Sequence, residues 1–203
     1  MTGVVGVILA GGLSRRMGGG DKGLLSIAGK PMLSWVIERV TPQVETVILN
    51  ANGDEGRFAE CGLPVVADRI TGYAGPLAGI LTGMEWAAEH RPDCAWIATF
   101  PSDAPLIPTD MVAHLLPGRG EDDLEIGCAM SQGRTHPVCA VWRVSLAADL
   151  RTAMEGEGMR KIDAWTARHR IKHVDFAADP VDPFFNVNTK EDLDTAEQLL
   201  RTR

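Results

Sequence analysis

Cysteine, net positive charge and long apolar runs are all scarce in this sequence of 203 residues. Its four cysteines are widely spaced and form no C-x-x-C pair, which argues against a zinc site and against a disulfide framework. Lys and Arg number 20 against 27 Asp and Glu, giving a formal net charge of −7. Because nucleic-acid-binding proteins usually carry a basic face, we expect no nucleic-acid partner.

The sequence also lacks features that would direct or anchor it to a membrane. No charged region precedes the first apolar run, and that run is much too short to span a bilayer. We therefore expect a soluble, cytoplasmic protein with no membrane partner. Since 45% of the residues are hydrophobic and no linker-like stretch interrupts them, we expect one core and a single domain over residues 1–203.

Residues 9–23, with the sequence LAGGLSRRMGGGDKG, are the most informative stretch. They follow an aliphatic run at residues 4–9, which predicts a strand buried on both faces. The glycines allow a sharp turn and a close approach of the backbone to a ligand. Arg15, Arg16 and Lys22 add three positive charges, and both side-chain types bind phosphate oxygens. A strand followed by such a loop predicts a binding site for nucleotide phosphates.

Two other phosphate-binding patterns do not fit this loop. The P-loop pattern requires Ser or Thr after its lysine, whereas Gly23 follows Lys22. A G-x-G-x-x-G pattern runs from Gly18 to Gly23, but it begins too far beyond the strand. A mobile surface loop with incidental basic residues remains the alternative.

Beyond the loop, short β-type runs alternate with helical patterns. The predicted strands cover residues 44–49, 63–67, 94–100, 124–130, 137–142 and 171–174. The predicted helices cover residues 31–40, 54–60, 77–90, 109–116, 145–154 and 160–167, and a last helix follows Asn188. This alternation predicts an α/β fold with a mainly parallel sheet and helices on both faces. A turn at residues 131–133 predicts a hairpin that adds at least one antiparallel strand.

Polar residues follow the predicted strands where a ligand would bind. In parallel sheets, ligands lie outside the carboxyl ends of the strands, so Gly11, Asn50, Asp68 and Asp103 should converge. Asp103 lies in a proline-rich loop and is the candidate metal ligand, because Mg²⁺ needs only one or two protein carboxylates besides phosphates and water. The alternatives are that Asp103 caps the helix near Thr109 and that Asn50 and Asp68 merely form turns.

The loop motif L-A-G-G-x-S-R-R-M-G-x-x-D-K-G resembles the signature of the molybdenum cofactor guanylyltransferases, a branch of the nucleotidyltransferase superfamily. The similarity extends to about Leu193. It includes V-x-x-N-A-N, and a P-S-D-A-P segment in which Ser102 replaces the family's cysteine. The resemblance implies a Rossmann-like three-layer sandwich. It also implies transfer of GMP from Mg-GTP to the terminal phosphate of the molybdopterin cofactor, with release of pyrophosphate.

The resemblance also implies roles for individual residues. The implied set is catalytic Arg15, Arg16, Lys22 and Asp103; GTP contacts from Leu9, Ala10, Gly11, Lys22, Asn50, Asp68 and Asp103; an acceptor side with Arg160, Lys161, Asn186 and Asn188; and Mg²⁺ on Asp103. Asn188 has a competing interpretation as the N-cap of the last helix, with Glu191 completing a capping box. We expect His136 to be structural, and we find no convincing Ser/His/Asp or Cys/His catalytic set.

The glycine pair at residues 11–12 favours GTP, because related cytidylyltransferases tend to carry Ala-Ala-Gly there. Two alternatives remain: a cytidylyltransferase or other nucleotidyltransferase acting on a phosphorylated small molecule, and a non-catalytic GTP-binding sensor. Molybdoenzymes or their chaperones are further candidate partners.

Overall fold

The computed structural model describes residues 3–10, 21–70, 72, 75–179 and 181–201. The strands in these ranges are β1 (Gly3–Leu9), β2 (Ser26–Ile27), β3 (Lys30–Pro31), β4 (Thr46–Asn50), β5 (Val65–Val66), β6 (Cys94–Pro101), β7 (Ile126–Ser131), β8 (Arg134–Arg143) and β9 (Ile171–Asp175). The helices are α1 (Met32–Val40), α2 (Pro76–His90), α3 (Met111–Leu115), α4 (Ala147–Glu157), α5 (Ile162–Thr166) and α6 (Lys190–Arg201). Short 3₁₀ turns occur at Lys22–Leu24, Thr41–Gln43, Glu55–Cys61 and Val144–Leu146.

Seven of these strands form one sheet in the order β5-β4-β1-β6-β8-β7-β9. Adjacent strands are parallel from β5 to β6, and β9 is parallel to β7. By contrast, β8 is antiparallel to both β6 and β7, because a tight turn connects it to β7. The mainly parallel sheet and the hairpin with its antiparallel strand are therefore confirmed.

Helices cover both faces of the sheet, which confirms the three-layer architecture. Along β1, Val4 and Ile8 pack into the core beneath α1 and α3, whereas Val5 and Val7 pack into the core beneath α2, α4 and α5. This alternation follows from the two-residue period of a strand. All four side chains are buried, so β1 is buried on both faces, as predicted from its unbroken aliphatic sequence.

Several element boundaries differ from the prediction. Only two residues of the third predicted strand, 63–67, pair with β4, so β5 is short. Both α3 and α5 span five residues, shorter than predicted, whereas α4 continues to Glu157 and ends before Gly158, which has a φ of 67°. The β2–β3 hairpin was not predicted. Its turn has positive φ angles at Ala28 and Gly29, and alanine gives little sequence signal for that conformation.

The chain reverses direction across the sheet beside β1. After β1, the chain passes through α1 to β4 on one side of β1, and later through α2 to β6 on the other side. Such a switch point opens a crevice at the carboxyl ends of the central strands. Within the described ranges, none of the helices combines the length and the apolar character needed to cross a bilayer.

Candidate active site

The loop after β6 is held against the carboxyl end of β1. The backbone N–H of Ser102 donates to the carbonyl of Leu9 at 3.2 Å. One residue on, the carbonyl of Asp103 accepts a hydrogen bond of 2.9 Å from the backbone N–H of Val187, in the segment that leads to α6. These contacts fix the Asp103 backbone at the switch point. Because α3 begins only at Met111, Asp103 does not cap that helix.

Lys22 connects two distant segments of the chain at this point. Its ammonium lies 3.4 Å from Asp103 Oδ2 and donates to Asn188 Oδ1 at 2.5 Å. Gly23 packs closely beneath it, because a Cβ atom there would stand 3.3 Å from the Cβ atom of Leu33 and 3.5 Å from that of Ser102. Two acceptor oxygens, from Asp103 and Asn188, thus converge on the Lys22 ammonium next to the β1–β6 crevice.

Burial and the charge of Lys22 shift the pKa of Asp103 in opposite directions. Its side chain is only 22% exposed, and this burial raises the pKa of the carboxyl above its ordinary value. The nearby Lys22 ammonium lowers that pKa through its charge and its hydrogen bond, but it does not offset the burial completely. A carboxylate in this environment favours a second cation, because additional positive charge stabilises its ionised form.

A second polar cluster lies at the ends of β4 and β5. Asn50 is buried, and its Nδ2 donates to Asp68 Oδ1 at 2.9 Å and to the carbonyl of Val66 at 3.1 Å. Asn52 binds Asp68 twice, accepting from its backbone N–H and donating to its Oδ2, each at 2.8 Å. The backbone N–H of Ala10 donates to the carbonyl of Asn50 at 2.9 Å, which joins this cluster to the end of β1. Asn50 and Asp68 are therefore neighbours, as their positions at strand ends predicted.

A partly buried Ser–His–Asp cluster was not predicted from the sequence. Ser131 Oγ donates to Asp182 Oδ1 at 2.9 Å and lies 2.7 Å from His136 Nε2. Asp182 also accepts from the backbone N–H of Phe184, so the cluster joins the β7–β8 hairpin to the segment before α6. The spacing of 51 residues between Ser131 and Asp182 leaves no local sequence signal.

The geometry of this cluster indicates a structural role and not a catalytic one. The serine lies between the other two residues, and its hydroxyl proton is donated to the carboxylate, so Nε2 of the imidazole is the proton donor to Oγ. Ser131 is fully buried, and burial lowers the pKa of His136 despite the opposing charge of Asp182. A hydroxyl held in this way is not activated as a nucleophile. The expectation that His136 is structural agrees with this arrangement.

Comparison with known proteins gives the family of the chain. A family model described as the MobA-like NTP transferase domain matches residues 6–173. A molybdenum cofactor guanylyltransferase of Rhodopseudomonas palustris strain BisB5 is 50% identical over 95% of this chain and 92% of the relative. Another, from Bradyrhizobium sp. strain ORS 278, is 50% identical over 98% and 93%. The chain belongs to the molybdenum cofactor guanylyltransferases. It is therefore a nucleotidyltransferase.

Solved structures confirm the fold of this guanylyltransferase family member. Molybdopterin-guanine dinucleotide biosynthesis protein A from Archaeoglobus fulgidus superposes with a TM-score of 0.72 at 22% identity, covering 98% of this chain and all of its own. A CMP:2-keto-3-deoxy-manno-octonic acid synthetase complexed with CTP gives a TM-score of 0.73 at 18% identity, covering 98% and 99%. At these identities, the likeness concerns the fold alone.

The remaining site residues predicted for this guanylyltransferase fall into two groups. Gly11, Arg15 and Arg16 lie outside the described residues. Arg160 and Lys161 lie in the exposed turn between α4 and α5. Their role on the acceptor side stays a prediction.

The N-cap interpretation of Asn188 is wrong. Helix α6 begins at Lys190, and the hydroxyl of Thr189 accepts from the backbone N–H of Asp192 at 3.1 Å. The carboxylate of Asp192 in turn accepts from the backbone N–H groups of Asn188 and Thr189. The capping box is therefore Thr189 with Asp192, one residue beyond the predicted pair of Asn188 and Glu191. This leaves the side chain of Asn188 available to Lys22, while Asn186 lies two residues earlier and is exposed.

Proposed function

We propose that this chain transfers GMP from Mg-GTP to the terminal phosphate of the molybdopterin cofactor, forming the guanine dinucleotide cofactor and pyrophosphate. The convergence of Lys22, Asp103 and Asn188 beside the β1–β6 crevice carries the proposal, because it combines a phosphate-binding cation with oxygen ligands. Two relatives with 50% identity are molybdenum cofactor guanylyltransferases, which supports the choice of substrates.

GTP would bind across the ends of β1 and β4. Leu9, Ala10 and Gly11 begin the glycine-rich loop, whose Arg15 and Arg16 would add positive charge for the phosphates. Asn50 and Asp68 would contact the nucleoside, because their paired side chains already form a fixed polar surface beside Ala10.

Asp103 would hold the metal ion. The residues present fit a divalent cation, since a mostly buried carboxylate and the Asn188 amide oxygen already converge on one positive charge. Relatives of this fold include a protein from Mycobacterium tuberculosis whose structure is a complex with manganese. When bound, Mg²⁺ would neutralise part of the charge on the triphosphate and on the departing pyrophosphate.

The reaction requires positioning more than proton transfer. A phosphate monoester, with a second pKa of about 6, is already mostly dianionic at pH 7, so its oxygen attacks without a general base. The new bond joins that oxygen to the α-phosphorus, and the bond from the α-phosphorus to the bridging oxygen of the β-phosphate breaks. Lys22 would hold the triphosphate in line and stabilise the charge that moves onto pyrophosphate.

The acceptor would approach from the side of α6 and the α4–α5 turn. Asn186 and Asn188 precede α6, and Arg160 and Lys161 supply basic side chains suited to a phosphate. The product would then pass to molybdoenzymes or their chaperones. We further propose that residues 1–203 act as one domain and that the reaction takes place in the cytoplasm, where the four free thiols would remain reduced.

The test is turnover with purified molybdopterin cofactor and each nucleoside triphosphate in turn. We expect pyrophosphate release with GTP and Mg²⁺, and its loss in Asp103→Ala with the fold retained, because Asp103 lies on a loop. Lys22→Ala should weaken binding of GTP much more than that of guanosine. Full activity of Asp103→Ala at ordinary Mg²⁺ would remove that residue from the metal site, and a preference for CTP would overturn the choice of GTP.

A further inference from the structure

The two described residues that flank the glycine-rich segment at residues 11–20, Ala10 and Asp21, contact the same neighbouring part of the chain. Before the segment, Ala10 binds the carbonyl of Asn50 through its backbone N–H. After the segment, the carboxylate of Asp21 lies 3.0 Å from Nε of Arg57, in the 3₁₀ turn that follows β4. Residues 50–57 therefore contact both flanking residues.

The side chain of Arg57 is held by three different groups. Besides Asp21, its Nη2 donates to the carbonyl of Asn52 at 2.5 Å, and its guanidinium lies 4.8 Å from the centre of the buried Phe58 ring. The side chain of Asp21 is only 11% exposed, so this pair is better shielded from water than a typical surface ion pair. A planar guanidinium suits such a site, because it can bind a carboxylate and a carbonyl at the same time.

The contacts of Arg57 continue into the polar cluster proposed to bind the nucleoside. Asn52 receives Arg57 on its carbonyl and makes two hydrogen bonds to Asp68 with its side chain. In the other direction, Asp21 directly precedes Lys22, whose ammonium reaches Asp103. One chain of contacts thus runs from the nucleoside side of the site to its phosphate side.

We propose that Arg57 is a positioning residue for the nucleoside triphosphate. It fixes Asp21, and with it Lys22, at a set distance from Asn50 and Asp68. Its own charge is already paired with Asp21, so it acts through Asp21 and Lys22 rather than by binding phosphate itself. This inference rests on the proposed function.

The test compares triphosphate binding with nucleoside binding by calorimetry in the presence of Mg²⁺. We expect Arg57→Met and Asp21→Asn each to raise the Kd for GTP about tenfold, because each substitution breaks the ion pair that holds Asp21 beside Arg57. The Kd for guanosine should change little, because Asn50 and Asp68 remain in place. The double variant should lose no more than the weaker-binding single variant, because both substitutions break the same link.

Arg151→Met is the matched control. Arg151 is also half-buried and pairs with Glu85 through Nε and Nη2, each at 2.8 Å, but it lies on α4 and outside the proposed nucleotide contacts. Its GTP affinity should equal that of the parent protein. Arg57→Lys, which keeps the charge but lacks the planar fork, should retain the melting temperature and still bind GTP weakly.

The outcomes separate this inference from the proposed function. Failure of the parent protein to bind GTP would overturn the proposed function, and the Arg57 comparison would then be made with the triphosphate that the parent binds best. Parent-like triphosphate binding by both single variants would overturn the inference. So would equal losses for triphosphate and nucleoside, because Arg57 would then support the whole site and not the phosphate side.

Discussion

Replacing Gly79 with alanine should disturb the polar cluster around Asn50 from the side of α2. Gly79 lies on the buried face of α2, where a Cβ atom would overlap Oδ1 of Asn50 and stand 2.7 Å from Cδ2 of Leu9. The Asn50 amide cannot easily move away, because its Nδ2 is bound to Asp68 and to the carbonyl of Val66. The methyl group therefore either displaces α2 or breaks the hydrogen bonds of Asn50.

The expected magnitude follows from two opposing effects. Alanine is favoured over glycine inside a helix by up to about 1 kcal/mol. Inserting a methyl group into a packed core costs about 1–3 kcal/mol, and each broken hydrogen bond of Asn50 costs about 0.5–1.5 kcal/mol. We therefore expect Gly79→Ala to lower the free energy of unfolding by about 1–2 kcal/mol after the helix gain is included.

Urea titration and GTP calorimetry on three variants test this reasoning. Gly156→Ala is the first control, because Gly156 lies in α4 with nothing within 4 Å of its Cβ position, so it should gain about 0.5–1 kcal/mol. Gly83→Ala is the second, because its Cβ atom would stand 2.6 Å from Cγ2 of Val7, away from Asn50. Gly83→Ala should lower the free energy of unfolding. Its GTP affinity should equal that of the parent protein when binding is measured at a urea concentration well below the one that unfolds the protein.

Gly79→Ala should lose both stability and GTP affinity. A variant as stable as the Gly156→Ala protein would show that α2 does not approach Asn50 as closely as the structure indicates. Reduced stability with parent-like GTP affinity would show instead that Asn50 keeps its position, or that it makes no contact with the nucleotide.

Three further substitutions test other contacts. Ser131→Ala removes the hydroxyl that donates to Asp182 and should lower the free energy of unfolding by about 1–3 kcal/mol in urea titration; an unchanged midpoint would mean that water replaces the hydroxyl. Thr189→Ala should cost about 1 kcal/mol through the lost N-cap, measured in the same way, and Thr189→Ser should restore it. Lys22→Met removes the charge that lowers the pKa of Asp103, so the acidic limb of Mn²⁺ binding should move to higher pH; an unmoved limb would mean that the two side chains do not interact. Burial leaves the pKa of Asp103 in the folded protein above its ordinary value of 3.8. The carboxyl therefore contributes stability below pH 3.8, and this stability is lost as the pH rises through the folded pKa. Lys22→Met should extend that loss to higher pH, because it raises the folded pKa further.

Much of the frame of the site could be predicted from the sequence, because strands and their ends leave local signals. The aliphatic run of β1 predicted a strand buried on both faces, and the structure confirms it. Asn50 and Asp68 were expected to be neighbours because the carboxyl ends of parallel strands meet at one edge, and they share a hydrogen bond. These inferences required only the period of a strand and the geometry of a parallel sheet.

The contacts that connect distant segments could not be predicted in the same way. Lys22 and Asn188 are 166 residues apart, and no local pattern indicates that their side chains meet. An asparagine before a helix is a common N-cap, so Asn188 was an obvious candidate. Thr189 occupies the cap instead, since its hydroxyl lies three residues before Asp192 in the arrangement of a capping box.

The buried frame of the site and the contacts between distant segments affect the reaction in different ways. A CTP-bound relative shares the fold at a TM-score of 0.73 with only 18% identity, so the sheet and its switch point do not select the nucleotide. Residues that form the frame, such as Asn50 next to Gly79, are buried and hydrogen-bonded. Substitutions there should therefore change the stability of the protein and its binding of nucleotide together. Lys22 and Asn188 are more exposed and lie on segments added to that frame, so they can change with little loss of stability. The contacts to phosphate and to the acceptor can therefore vary within this fold through these segments, while the sheet that orients them stays the same.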